Sequence, residues 1–238
     1  MGAIVFRCDA SPEIGYGHLM RCVALAECVR HHGDHVTFLI REDPGAVPPL
    51  RQAGVGTTWL PTTCSLEDVR SALRTEIEQC HGAHAARPWI VIDSYEQTAL
   101  QVAVAREAGA KVLVIDDVGR LVANTHLLVN PKLDARASWY PSINGTTLLL
   151  GASYALLRKE FLADARMRER ATPLTRLLVT LGGSDRQNWL VTVLKGLAEL
   201  PLRWRAQLEI ALVLGPGYRH VADIQALTHA VGDRVTIH

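Results

Sequence analysis

No sign of charge dominates this chain of 238 residues. Its 25 lysines and arginines stand against 24 aspartates and glutamates, for a formal net charge of +1. Electrostatics therefore give no reason to expect nucleic acid or an anionic membrane as partner. No apolar run approaches the roughly 20 residues of a membrane helix. The opening Met-Gly-Ala-Ile-Val-Phe-Arg-Cys-Asp9 has no basic start, long apolar core or small-residue cleavage site of a secretory leader. A cytoplasmic protein is expected. The five cysteines, Cys8, Cys22, Cys28, Cys64 and Cys80, form no CxxC pair. A chain of this size can build its core without staples, so reduced thiols are expected. Neither cysteines nor histidines show finger or ribbon spacing, and no metal site is expected.

What the chain does have is alternation, since strand-like apolar runs take turns with helical stretches for most of its length. That pattern argues βαβ units, a mainly parallel sheet and an α/β fold. Strands are predicted at 3–7, 35–41, 55–60, 89–93, 111–116, 126–129 and 146–150, with helices at 18–32, 66–80 and 97–108. A first domain over 1–158 follows. Tyr154 to Phe161 reads as a short helix, and the charged run Arg166 to Arg170, closed by Thr172-Pro173, as a polar connector. Together they suggest a helical connector over 159–174. A second βα series then fills 175–238, with a strand at 176–181, a helix near 188–199, a strand at 208–214 and Gly215-Pro216-Gly217. With about three strands, this second sheet is expected to be incomplete.

The densest signal is Phe6-Arg-Cys-Asp-Ala-Ser-Pro-Glu-Ile-Gly-Tyr-Gly-His-Leu-Met-Arg21. Here a strand runs through a glycine-hinged loop into a helix, at the sheet edge where ligands of open parallel sheets sit. Gly15 and Gly17 permit close backbone approach or positive φ, and the helix start favours an anion. GxGH is weak evidence for a dinucleotide, because Met20 replaces the third glycine of GxGxxG. His18 is the best acid/base candidate, as imidazole titrates near neutrality. Asp9 either meets a substrate or caps its own loop. Asp93 with Tyr95, and the Asp116-Asp117 pair, fall on the same carboxyl edge, as helix caps or as members of one cleft.

Gly182-Gly183-Ser184-Asp185, with Asn188 one turn on, has the form of a phosphate-receiving βα turn. No Lys follows, which argues against an ATPase P-loop. His31, His32, His35, His81 and His84 lie in polar segments, and His81-Gly-Ala-His84 reads as a solvated turn before a metal site.

Taken together, Phe6 to Ser11, Ile14 to Arg21, Ile92-Asp-Ser-Tyr95, Val114-Ile-Asp-Asp117, Leu150 to Arg158 and Val179 to Asp185 resemble the UDP-2,4-diacetamido-2,4,6-trideoxy-β-L-altropyranose hydrolases of pseudaminic acid biosynthesis. The resemblance implies a GT-B architecture, akin to the lipid-linked peptidoglycan N-acetylglucosaminyltransferase. It would comprise a complete N-terminal Rossmann-like domain and the first part of a second. It also implies inverting cleavage of an anomeric C–O bond by water, releasing UDP and the free sugar. His18 would be the general base and Tyr95 would lie near sugar and water. Asp9, Gly15, Gly17, Arg21 and Asp93 would surround the substrate, and Gly182, Gly183, Ser184, Asp185 and Asn188 would face UDP. The implied partner is a UDP-sugar, with no cofactor or metal, and a monomer is expected. Family members continue into a further nucleotide-holding turn, so weak UDP-sugar binding and low activity are expected if residues 1–238 stand alone. Two other readings stay open: a glycosyltransferase whose acceptor is not water, and a non-catalytic nucleotide-sugar binding module.

Overall fold

The computed structural model describes residues 2–83, 86–96, 98–119, 121, 123–141, 145–163, 175–215 and 217–238. Expectations for His84, for 164–174 of the connector and for Pro216 fall outside the described residues. The chain divides into two compact units, Met1–Ala10 with His18–Asp164, and Ser11–Gly17 with Ala165–His238.

In the first unit the elements are β1 (Ala3–Cys8), α1 (Gly17–His31), β2 (His35–Arg41), α2 (Val47–Ala53), β3 (Gly56–Leu60), α3 (Leu66–Ala83), β4 (Trp89–Asp93), α4 (Thr98–Glu107), β5 (Lys111–Ile115), β6 (Leu127–Asn130), β7 (Thr147–Leu150) and α5 (Lys159–Ala163). The seven strands form one parallel sheet in the order β3-β2-β1-β4-β5-β6-β7. Strands buried on both faces read as continuous apolar runs, which is why the sequence reveals them. Alternate residues serve opposite faces. Val5, Leu39, Ile90, Ile92 and Val112 join Val69, Leu73 and Ile77 of α3 and Val102 and Ala105 of α4 in one core. On the other face Phe6 stacks on Phe38 with ring centroids 4.9 Å apart.

Two local features depart from the sequence reading. Helix α2 is hidden by Pro48 and Pro49, which read as breakers but occupy its first positions. There a missing amide costs nothing, because that amide has no partner in any helix. Gly54, at φ +62°, closes α2 with its amide donating to the Arg51 carbonyl at 3.0 Å. The helix expected from Tyr154 to Phe161 is split. A 3-10 turn covers Ala152–Tyr154, Ala155 leaves it extended at ψ 129°, and α5 starts only at Lys159.

The second unit contains β8 (Arg176–Thr180), α6 (Trp189–Ala198), α7 (Leu202–Arg205), β9 (Glu209–Val213), α8 (Val221–Val231) and β10 (Val235–Ile237). Its strands form a parallel sheet in the order β10-β9-β8. Val179, Ile210 and Leu212 pack with Leu190 and Leu194 of α6 and Ile224 and Val231 of α8. The sequence reading placed no element at α7 or α8.

Candidate active site at the β1/β4 switch point

Strand order reverses between β1 and β4: β2 and β3 extend to one side, β5 to β7 to the other. A crevice opens at the carboxyl ends of strands where such a reversal occurs. Cys8, the last residue of β1, is in register with Asp93, the last of β4. The turn after β1 delivers His18 to this point on the first turn of α1.

That turn is held by its own bonds. Ser11 Oγ accepts from the amides of Glu13 and Ile14, both at 3.2 Å, and the Gly15 amide donates to the Ser11 carbonyl at 2.7 Å. Gly15 sits at φ +88°, a conformation that favours glycine. Gly17 does not have positive φ, and a Cβ there would meet nothing within 4 Å.

His18 is 6% exposed. Its Nδ1 lies 2.7 Å from Asp93 Oδ1. A carboxylate can only accept, so the Nδ1 proton belongs to this bond and Nε2 keeps a lone pair. Arg21, one turn along α1, donates to both Asp93 oxygens from Nε and Nη2 at 2.5 Å each. Its Nη1 donates to Asp117 Oδ2 at 2.7 Å. Arg21 Nη2 also lies 3.0 Å from His18 Nδ1. Tyr95 donates its hydroxyl to Asp117 Oδ1 at 3.0 Å and sets its ring edge-on to the imidazole, centroids 4.5 Å apart. Five side chains thus form one network, with Asp93 fully buried beneath it.

The network has its own electrostatics. Burial works to lower the Arg21 pKa, but hydrogen bonds and charge from Asp93 and Asp117 outweigh it and raise the value. Burial works to raise Asp117, yet Arg21 and the Tyr95 hydroxyl hold it below the ordinary aspartate value. The Tyr95 phenol is pushed up by burial and by Asp117. Beneath them the Cys22 thiol is pushed well up by burial, by its hydrogen bond with Cys8 and by Asp93. Two carboxylates thus share one guanidinium in this network.

Asp9 lies in a different cluster. It accepts from Nη1 of the fully buried Arg7 at 2.7 Å, and Arg41 Nη1 is 4.0 Å away. Arg41 in turn donates to Glu96 at 2.9 Å. Arg7 Nε and Nη2 are buried without a hydrogen-bond partner among the described residues. The structure therefore surrounds Asp9 with guanidinium groups, whereas His18, Arg21, Asp93 and Tyr95 come together. Asp117, read with Asp116 as a helix cap or a member of one cleft but given no substrate role, completes that group. Its signal was the Val114-Ile-Asp-Asp strand end. Arg7 and Arg41 carried no such signal.

In the second unit the turn after β8 is closed by two of its own side chains. Asp185 accepts from the amides of Trp189 and Leu190 at 2.9 Å each, taking helix-start donors that the sequence reading offered to a phosphate. Asn188 donates to Asp223 at 3.1 Å and accepts from the Tyr218 hydroxyl at 2.7 Å. Both sit at positive φ, +37° and +54°, a conformation costly outside glycine. Gly182 is at φ +78°. The Gly217 amide donates to the Gly183 carbonyl at 2.8 Å. Ser184 Oγ has no hydrogen-bond partner among the described residues. Those residues contain no group of three His, Cys, Asp or Glu side chains able to hold a metal. His81 instead donates from Nε2 to the Ala108 carbonyl at 3.1 Å.

No protein-family model matches the sequence, and a comparison with curated proteins finds no relative. Comparison with solved structures does find neighbours. MurG of Acinetobacter baumannii matches over 100% of this chain and 67% of its own, at 11% identity and TM-score 0.57. Anabaena HepE in complex with UDP matches over 100% and 68%, at 11% identity and TM-score 0.59. A putative UDP-N-acetylglucosamine 2-epimerase from Listeria monocytogenes matches over 99% and 68%, at 10% identity and TM-score 0.59. The fold is GT-B-like. This chain spans about two thirds of the length of these neighbours. Within the GT-B-like fold, the His18 network belongs to the seven-stranded unit and the Gly182 turn to the smaller one.

Proposed function

We propose that the protein hydrolyses a UDP-linked 2,4-diacetamido-2,4,6-trideoxy sugar at its anomeric C–O bond, as a step of pseudaminic acid biosynthesis. The observation that carries this reading is the buried His18 imidazole, with Nδ1 committed to Asp93 and Nε2 left to take a proton. The resemblance of the Ile14 to Arg21, Ile92 to Tyr95 and Val179 to Asp185 segments to the hydrolase family supports the choice of substrate. The UDP in the Anabaena structure supports the nucleotide.

His18 Nε2 accepts a proton from water as the water oxygen bonds to C1. The C1–O bond to the β-phosphate breaks, and its electron pair leaves with UDP. Attack opposite the leaving group inverts C1. Asp93 stabilises the imidazolium that forms, and Arg21 fixes Asp93 and Asp117, so Arg21 acts as a positioning residue. Tyr95, whose ring edge meets His18, orders the sugar and the water. Gly182, Gly183 and Ser184 receive the diphosphate through backbone and hydroxyl donors, which stabilise charge as it develops on UDP. Asp185 and Asn188 shape that turn. An imidazole only 6% exposed, with a tyrosine ring against it, favours a nucleophile as small as water over a bulky acceptor.

Steady-state UDP release from the diacetamido substrate tests the reading. His18→Gln is expected to lower kcat by roughly 100-fold or more, the usual contribution of a positioned general base. Asp93→Asn is expected to lower it by a similar factor, because Arg21 keeps only Asp117 as a charged partner and the Nδ1 proton loses its charged acceptor. A His18→Gln variant that kept wild-type turnover would remove His18 as the base, and binding of the UDP-sugar by wild type without UDP release would make the protein a binding module. Sugar transfer only upon adding a second sugar or lipid acceptor would make it a transferase.

A further inference from the structure

Beside the His18 network, at the carboxyl ends of β4 and β5, lies a cavity of about 550 Å³. That volume suits a substituted monosaccharide. Tyr95 and Asp117 line it and also belong to the network, so a sugar with its anomeric carbon near His18 extends naturally into this space.

The cavity's chemistry is selective because nearly all its polar groups are already engaged. Asp116 accepts from the amides of Val118 and Gly119 at 3.0 Å and of Leu121 at 2.9 Å. Asp117 is held by Arg21 and Tyr95. The Thr98 hydroxyl donates to the Ser94 carbonyl at 2.5 Å, and Ser94 Oγ accepts from the Glu96 amide at 3.0 Å. Ala99, Val114 and Leu121 supply apolar wall. Lys132 is the exception. It lines the same cavity and its ammonium has no ion pair or side-chain hydrogen bond among the described residues.

An apolar wall facing an unpaired ammonium suits a group that carries a methyl and a carbonyl oxygen together. It disfavours a cation, which Lys132 repels, since the carboxylates nearby are spent on amides and on Arg21. We infer that this cavity is the acylamino pocket of the substrate sugar. Lys132 donates to the acyl carbonyl and discriminates an N-acylated sugar from one with a free, protonated amine. This inference rests on the sugar-nucleotide reading above and adds a specificity-determining residue to it.

The test compares the UDP-diacetamido sugar with its counterpart bearing a free amine at C4, using wild type, Lys132→Met and Lys132→Glu. Lys132 is exposed, so neither substitution touches the core. Wild type is expected to favour the acylated compound. Lys132→Met is expected to raise KM for it about tenfold, the scale of one hydrogen bond to a charged group. Lys132→Glu is expected to shift the preference toward the free amine. An unchanged preference in both variants would overturn the inference. Saturation-transfer NMR with the two free sugars reads the same pocket without catalysis. If no variant releases UDP but Lys132→Glu still reverses which sugar binds, the hydrolase reading fails and the pocket stands. If the two sugars bind wild type equally, the pocket assignment fails whatever the turnover.

Discussion

His18 differs from the other histidines in what surrounds its ring. Asp93 holds the Nδ1 proton, Arg21 grips both Asp93 oxygens, and Asp117 is shared between Arg21 and Tyr95. The lowered Asp117 pKa has a stability consequence whose sign follows from linkage. A carboxyl depressed in the folded state stabilises the fold above its unfolded pKa, and that stabilisation is lost as pH falls through the folded value. Since the ordinary value is 3.8, the loss falls below about pH 4. Thermal melts between about pH 5 and about pH 2 are expected to fall less steeply for Asp117→Asn than for wild type. Equal slopes would mean that the Arg21 pairing does not favour the ionised carboxylate.

At the scale of elements, the β8–α6 turn owes its shape to Asp185 and to a close approach by the β9–α8 loop. Asp185→Ala is expected to destabilise the second unit by about 1 kcal/mol, the usual cost of losing a helix-capping oxygen, as read by urea unfolding. Gly215→Ala is expected to cost more, because its Cβ would lie 2.3 Å from the carbonyl oxygens of Gly182 and Gly183. Wild-type hydrogen-exchange protection across α6 in that variant would contradict the packing. The sequence exposed most elements of both sheets because parallel strands covered by helices are largely apolar, as in Trp89–Asp93, buried from Ile90 onward; Arg176–Thr180 shows the pattern more weakly, with Val179 its one buried residue. It hid α2 behind two prolines that start the helix, and α8 behind its flanking glycines. Of the candidate residues, His18, Asp93 and Tyr95, singled out from strand ends and glycine turns, are brought together by the fold. Arg21 was read as a substrate ligand, and its nitrogens are instead spent on two carboxylates 72 and 96 residues away. Asp9 was read beside the substrate, and it is bound to Arg7. Such pairings depend on register between strands, and spacing along one chain does not encode that register.

At the scale of the whole molecule, two parallel sheets of a GT-B-like fold offer their carboxyl edges to the proposed chemistry. The fold admits transfer, epimerisation or hydrolysis, since function resides in sites grafted onto it. The proposed choice of water rests on local features, a buried imidazole with its orienting carboxylate and the Tyr95 ring packed against it. The most direct test incubates full-length protein with the UDP-diacetamido sugar in water labelled with heavy oxygen, with no acceptor, followed by NMR and mass spectrometry. The expected result is release of UDP and of free sugar in the inverted anomeric form, with the label on the sugar's C1 oxygen. Label on the UDP phosphate, or no release until an acceptor is added, would contradict the account.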